Sequence, residues 1–152
     1  EEMFKAVKKN LPTDVAIFTA AVTDFKPTKY EKNKIKKESF QENLRIKKTE
    51  DILDYVGKNN LYRPKLVIGF SAETENLIRN SKIKLRNKNS DWIIANDVSK
   101  KDTGINKEYN EVKIIESNGK IFKINKNKKS FIASVIADRI VKKLLVHDKN
   151  LN

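Results

Sequence analysis

The chain has 152 residues, 38% of them apolar, which is enough for one domain that buries a real core. It contains no cysteine, so disulfides, thiolate metal sites and cysteine nucleophiles within it are excluded, and its one histidine, His147, lies in a lysine-rich tail where solvent exposure is expected rather than triad chemistry. The 33 Lys+Arg against 20 Asp+Glu give a formal charge of +13, which suits a polyanionic partner, but the cations are mostly lysines among asparagines and isoleucines, a mixture that A/T-rich coding favours whatever the function.

No run of eighteen apolar residues occurs, and Glu1-Glu2-Met3-Phe4 lacks the basic and apolar regions of a signal peptide, so a cytoplasmic protein without a membrane partner is expected. Met3, Phe4, Val7 and Leu11 fall at helical spacing until Pro12 ends the pattern. The apolar run Val15 to Val22 predicts a buried strand. Residues 23–42, polar, lysine-rich and interrupted by Pro27, are expected to form a long mobile loop beside the active site. Leu44 and Ile46 alternate with charged residues as a half-exposed strand, after which Thr49 is the expected cap of a short helix carrying Glu50 and Asp51 in its first turn.

Leu66 to Phe70 predicts a second buried strand, followed by a helix from about Glu73 to Asn87 and a third strand at Trp92 to Ala95. Strands alternating with helices imply a parallel sheet covered on both faces. From Asn110 to Ile124 two alternating strands flank Asn118-Gly119, which predicts a tight type I′ hairpin and an antiparallel end to the sheet. Phe131, Val135, Ile136, Ile140, Leu144 and Leu145 are expected on one face of a last helix capped by Ser130. The expected fold is an α/β, three-layer mixed sheet with an antiparallel hairpin near the C-terminus.

In such a sheet ligands bind beyond the carboxyl ends of the strands. Asp24, Glu73, Asn96 and Asp97 follow the three buried strands and would offer carboxylates and an amide to one cleft; the same residues also serve commonly as caps and turn formers. On the helix after Phe70, Lys84 and Lys88 fall on or beside the face of Leu77, Ile78, Ser81 and Leu85, while Arg79, Lys82 and Arg86 point away. Two unpaired lysines on an inward face call for an anion such as a triphosphate, unless they snorkel from the helix end. Their joint removal is expected to weaken binding of such an anion without loss of thermal stability, since two unpaired inward charges would go. Lys34-Ile35-Lys36-Lys37 reads either as a solvated surface run or, on the strength of Ile35, as a flap that packs down over a ligand. No Walker motif and no G-x-G-x-x-G occurs, and four glycines cannot build a phosphate cradle.

Four blocks in order, Ala20 to Phe25, Lys34 to Lys37, Gly69 to Thr74 and Asp91 to Val98, resemble the signature of phosphopantothenoylcysteine synthetase (phosphopantothenate-cysteine ligase). The resemblance implies a Rossmann-like, ribokinase-related fold and a CTP-dependent ligase of coenzyme A biosynthesis that makes an acyl-cytidylate from phosphopantothenate with Mg2+ and lets cysteine displace CMP. It implies contacts to CTP from Phe18, Thr19, Ala20, Asp24, Lys34, Glu50, Asp51, Ile52, Leu53, Phe70, Lys84 and Lys88, with Lys34 as the catalytic lysine. Many bacterial relatives have proline where Glu50 stands, which bears on how the turn from Glu50 to Leu53 meets the nucleotide. The metal's ligands it leaves unassigned. The family commonly dimerises, and its bacterial members are often fused to a flavin-dependent decarboxylase module; no flavin is expected in this part. The family's first strand, glycine-rich turn and an asparagine motif have no counterpart here, so residues 1–152 are expected to be a single, partial synthetase domain. The competing readings are a nucleotide-binding fragment without catalysis and a basic nucleic-acid-binding protein, for which the chain offers charge but no recognition module.

Overall fold

The structure is a computed structural model that describes residues 1–30, 32–34, 36, 43–100, 102 and 107–149, without the side chains of 147–149. Ile35, Lys37 and the His147 side chain, on which the sequence raises expectations, lie outside the described residues. The elements are α1 (Glu2–Lys9), β1 (Val15–Phe18), β2 (Phe25–Pro27), β3 (Ile46–Lys48), α2 (Ile52–Gly57), β4 (Leu66–Glu73), α3 (Leu77–Asn87), β5 (Trp92–Asp97), β6 (Tyr109–Glu116), β7 (Ile121–Lys128) and α4 (Lys129–Lys149). Five strands form one sheet in the order β1-β4-β5-β6-β7. The first three run parallel, and β6 and β7 are added antiparallel. The expected α/β mixed sheet is the observed one.

Alternation along the strands divides the core between two layers. Leu66, Ile68, Trp92, Ile94, Val112, Ile114 and Ile124 point to one face and meet Ile132, Ile136 and Ile140 of α4. Val67 and Ile93 point to the other and meet Leu53 and Val56 of α2 and Leu85 of α3. Wholly buried side chains such as Ile68, Ile93 and Ile94 each contribute about 1.5–3 kcal/mol relative to exposure. Gly69 lets α2 lie down on β4, because a Cβ there would come within 2.5 Å of Leu53 Cδ2 and 2.9 Å of Ile93 Cδ1.

Several local expectations are corrected. β1 ends at Phe18 and is half-buried, with Ile17 48% exposed, because β1 is an edge strand with one sheet neighbour rather than a central strand running to Val22. Within the predicted loop, β2 pairs antiparallel with β3, so the two ends of this excursion are tied together by backbone hydrogen bonds. β4 continues to Glu73, where a helix was predicted to begin, and α3 starts at Leu77 after Asn76 in the left-handed region. The hairpin carries a three-residue loop: Glu116 O accepts from Gly119 N, and Gly119 at φ +89 is the one residue of the loop with positive φ, whereas a type I′ turn needs two. Ser130 lies inside α4, whose buried stripe is Ile132, Ile136 and Ile140; Phe131 and Leu145 are more than half exposed.

Candidate functional site

A cavity of about 300 Å3 opens at the carboxyl end of β1 and beside Phe70 of β4, the size at which small-molecule pockets begin. Its walls come from five places. The end of β1 and the segment after it supply Phe18, Thr19, Ala20 and Asp24, the start of α2 and the residues before it supply Glu50, Asp51, Ile52 and Leu53, β4 supplies Phe70, and α3 with its cap supplies Lys84 and Lys88. Met3 and Val7 of α1 also reach it. The cap of α2 is Asp51 rather than Thr49: its carboxylate accepts from Asp54 N at 2.8 Å. Thr49 instead donates its hydroxyl to Thr23 O, holding the α2 approach against the start of the loop excursion. Ile52 and Leu53 are buried beneath the cavity and fix the first turn of α2 to the sheet.

The two inward lysines are not unpaired, which corrects the expectation drawn from their spacing. Lys84 Nζ donates to Phe70 O at 2.7 Å. Lys88 Nζ lies 2.7 Å from Asp51 Oδ2 and 3.6 Å from Asp54 Oδ1. The ordering of the α2 cap and the α3 lysine therefore depends on each other. Burial disfavours ionisation of Asp51, but hydrogen bonds from Lys88 and from Asp54 N, with the charges of Lys88 and Lys84, outweigh it and hold the carboxyl below its ordinary value. The hydrogen bond to Asp51 raises Lys88 above its ordinary value; burial opposes this, and the charges of Asp51 and Asp54 add to it. Lys88 sits at the C-cap of α3, where a cation also answers the helix dipole.

Other predicted residues fall elsewhere. Lys34 is exposed and does not line the cavity. Glu73, Asn96 and Asp97 are adjacent in register at the ends of β4 and β5, but they stand beyond the cavity wall. Glu73 accepts from the Ser71 hydroxyl and, at 3.1 Å, from Asn80 Nδ2. Asp97 accepts from Ser99 N at 3.1 Å and Ser99 Oγ at 2.6 Å, and these two bonds lower its carboxyl below the ordinary value. Asn96 Oδ1 is buried with no partner among the described residues.

Sequence reasoning missed Asp54 and Arg63. Asp54 pairs with Lys58 at 2.7 Å as well as with Lys88, an i,i+4 spacing that was readable in the sequence. Arg63 bonds to Gly57 O, Asn89 O and Asp91 Oδ2, groups up to 28 positions away, and no local signal announces that.

Although the chain carries a formal charge of +13, the cavity lining sets Asp24, Glu50 and Asp51 against Lys84 and Lys88. A polyanion entering it needs further positive charge. Among the described residues no group of three or more His, Asp or Glu side chains is placed to hold a metal ion alone. Asp24 and Glu50 both line the cavity, and carboxylate oxygens are the hard donors that magnesium takes.

Residues 1–144 match the family described as DNA/pantothenate metabolism flavoprotein C-terminal domain. The chain belongs to that family. Within the flavoprotein C-terminal domain family, it is 40% identical over 111 residues to the coenzyme A biosynthesis bifunctional protein CoaBC of Borreliella burgdorferi, covering 71% of this chain and 28% of that relative. It is 35% identical over 134 residues to a cysteine/cysteine sulfinic acid decarboxylase of an unknown prokaryotic organism, covering 88% of this chain and 36% of that relative. A crystal structure of the C-terminal domain of the bifunctional protein CoaBC superposes with a TM-score of 0.70 at 29% identity, over 97% of this chain and 62% of the other. The chain thus spans about a third of the length of these curated relatives. Among the described residues no helix is long and apolar enough to cross a membrane.

Proposed function

We propose that this domain binds CTP in the cavity and serves as the ligase part of coenzyme A biosynthesis, joining phosphopantothenate to cysteine. The observation that carries the reading is that one cavity gathers Phe18 to Ala20, Asp24, Glu50 to Leu53, Phe70, Lys84 and Lys88, residues scattered over 71 positions of sequence and named beforehand on the family resemblance. The bifunctional CoaBC relatives support the pathway. On this reading Lys84 and Lys88 take phosphate oxygens, exchanging the Phe70 carbonyl and the Asp51 carboxylate for a more highly charged partner.

The chemistry runs in two displacements. A carboxylate oxygen of phosphopantothenate attacks the α-phosphorus of CTP and pyrophosphate leaves; the cysteine amine then attacks the acyl carbon, loses a proton and expels CMP. Charge accumulates on the phosphate oxygens in the first step, and preorganised cations lower that barrier most. Lys34 is the catalytic lysine of the proposal, on the family resemblance that names it, and its ammonium would neutralise charge on the triphosphate. Asp24 and Glu50 are the cavity carboxylates that would hold magnesium, which would supply charge neutralisation there.

The test is CMP release with phosphopantothenate, cysteine and CTP, measured with the chain alone and with the remaining portion of a bifunctional relative supplied in cis. CMP release that depends on cysteine and on magnesium is expected in the extended protein, with Lys34→Gln lowering kcat by at least about a hundredfold and leaving the melting temperature unchanged. Wild-type turnover by Lys34→Gln, or full activity in excess chelator, contradicts the assignment.

A further inference from the structure

Arg63 lies outside the cavity, yet four of its hydrogen bonds converge behind the cavity wall. Its Nε donates to Gly57 O at 2.9 Å, Nη1 to Pro64 O at 3.1 Å, and Nη2 to Asn89 O at 2.8 Å and to Asp91 Oδ2 at 3.0 Å. Asn89, at φ +49, adds its own Nδ2 to Gly57 O at 2.7 Å. Asp91 in turn accepts from Val67 N at 2.7 Å, so the cluster is fixed to the sheet. The end of α2 and the residue after the α3 cap are thereby held together. That cap is Lys88.

Lys88 therefore meets α2 at both ends. Its carbonyl adjoins Gly57 at the last turn, while its ammonium pairs with Asp51 at the cap and Asp54 in the first turn. A six-residue helix is only about 9 Å long, so a displacement at Gly57 is carried to Asp51 with little attenuation.

We propose that Arg63 is a positioning residue that fixes the Lys88 ammonium at the cavity wall, by locking the C-terminal end of α2 to the cap of α3. The consequence for the ligand rests on the nucleotide reading above; the placement of Lys88 does not. A lysine at position 63 keeps the charge but lacks the planar fork that reaches several acceptors at once.

The experiment uses Arg63→Lys and, as a milder variant that keeps the left-handed cap while removing one bond to Gly57, Asn89→Gly. Amine reactivity of Lys88 toward acetic anhydride, read by mass spectrometry against exposed Lys82 in the same sample, should rise severalfold in Arg63→Lys and less in Asn89→Gly. CTP affinity should fall about tenfold in Arg63→Lys and be unaffected by the same change in a Lys88→Ala background, the non-additivity expected of a residue acting through another. Unchanged Lys88 reactivity in a folded Arg63→Lys protein overturns the proposal, as do additive losses in the double variant. Increased Lys88 reactivity in a protein whose wild type binds no CTP upholds the positioning role and removes the nucleotide reading.

Discussion

Lys84 and Lys88 on α3, and Glu73, Asn96 and Asp97 at the ends of β4 and β5, leave the sheet on the same side but stand in different surroundings. The lysines line a cavity together with Asp51 and Asp24, whereas the strand-end group lies past its wall, with Glu73 braced locally by Ser71 and Asn80 and Asp97 by Ser99. The separation is geometric. β4 runs three residues beyond Phe70, about 10 Å at strand rise, and β5 follows it in register through Asp97. Polar residues at strand ends are thus not equivalent: Asp24 after β1 faces the cavity, whereas Glu73 and Asp97, carried further by strand pairing, are held by local side chains.

The sharpest way to break this comparison is to remove the lysines. Lys84→Ala with Lys88→Ala should weaken CTP binding by about a hundredfold or more, each charged hydrogen bond counting about 1.5–3 kcal/mol. Because Lys88 pairs with Asp51 and Asp54 and Lys84 satisfies Phe70 O, stability should also fall, by about 1–2 kcal/mol in a denaturant melt. Unchanged affinity with reduced stability would make both lysines purely structural.

Glu73→Ala should give the opposite profile. The Ser71 hydroxyl, 2% exposed, would lose its acceptor, at about 1–3 kcal/mol, with CTP affinity as in the wild type. A tenfold loss of CTP affinity would bring Glu73 back into the site.

The smallest effect is a pH signature of the Asp51–Lys88 pair. Asp51 is depressed when folded, so its contribution is complete above the ordinary aspartate value and lost as pH falls below it. Lys88 is elevated, so its contribution is complete below the ordinary lysine value and lost as pH rises through the folded one. The stability difference between wild type and Asp51→Asn, at most about 1 kcal/mol for a half-exposed pair, should be flat between about pH 5 and 10 and shrink outside those limits. A difference that persists at the acid end would mean that the ion pair is not its source.

Periodicity made the β4 and β5 strands, the α3 faces and the hairpin legible, since Leu66 to Phe70 and Trp92 to Ala95 are apolar runs that must be buried on both faces. Arg79, Lys82 and Arg86 are exposed as their spacing requires. Boundaries set by pairing were less accessible. The exposure of Ile17 follows from the edge position of β1, and the extension of β4 to Glu73 from its match with β5, neither of which composition encodes.

By itself, then, the sequence determined the mixed α/β class and the inward face of α3. Local propensities and hydrophobic period act over a few residues and survive without knowledge of neighbours. Only the tertiary structure decided that the inward lysines have carboxylate and carbonyl partners, that Glu73 and Asp97 are braced away from the cavity, and that Arg63 joins α2 to α3. Each of those facts is a meeting of side chains or backbone groups brought together by sheet order and helix packing, and charge pairing across such distances is specified by three-dimensional proximity rather than by sequence spacing.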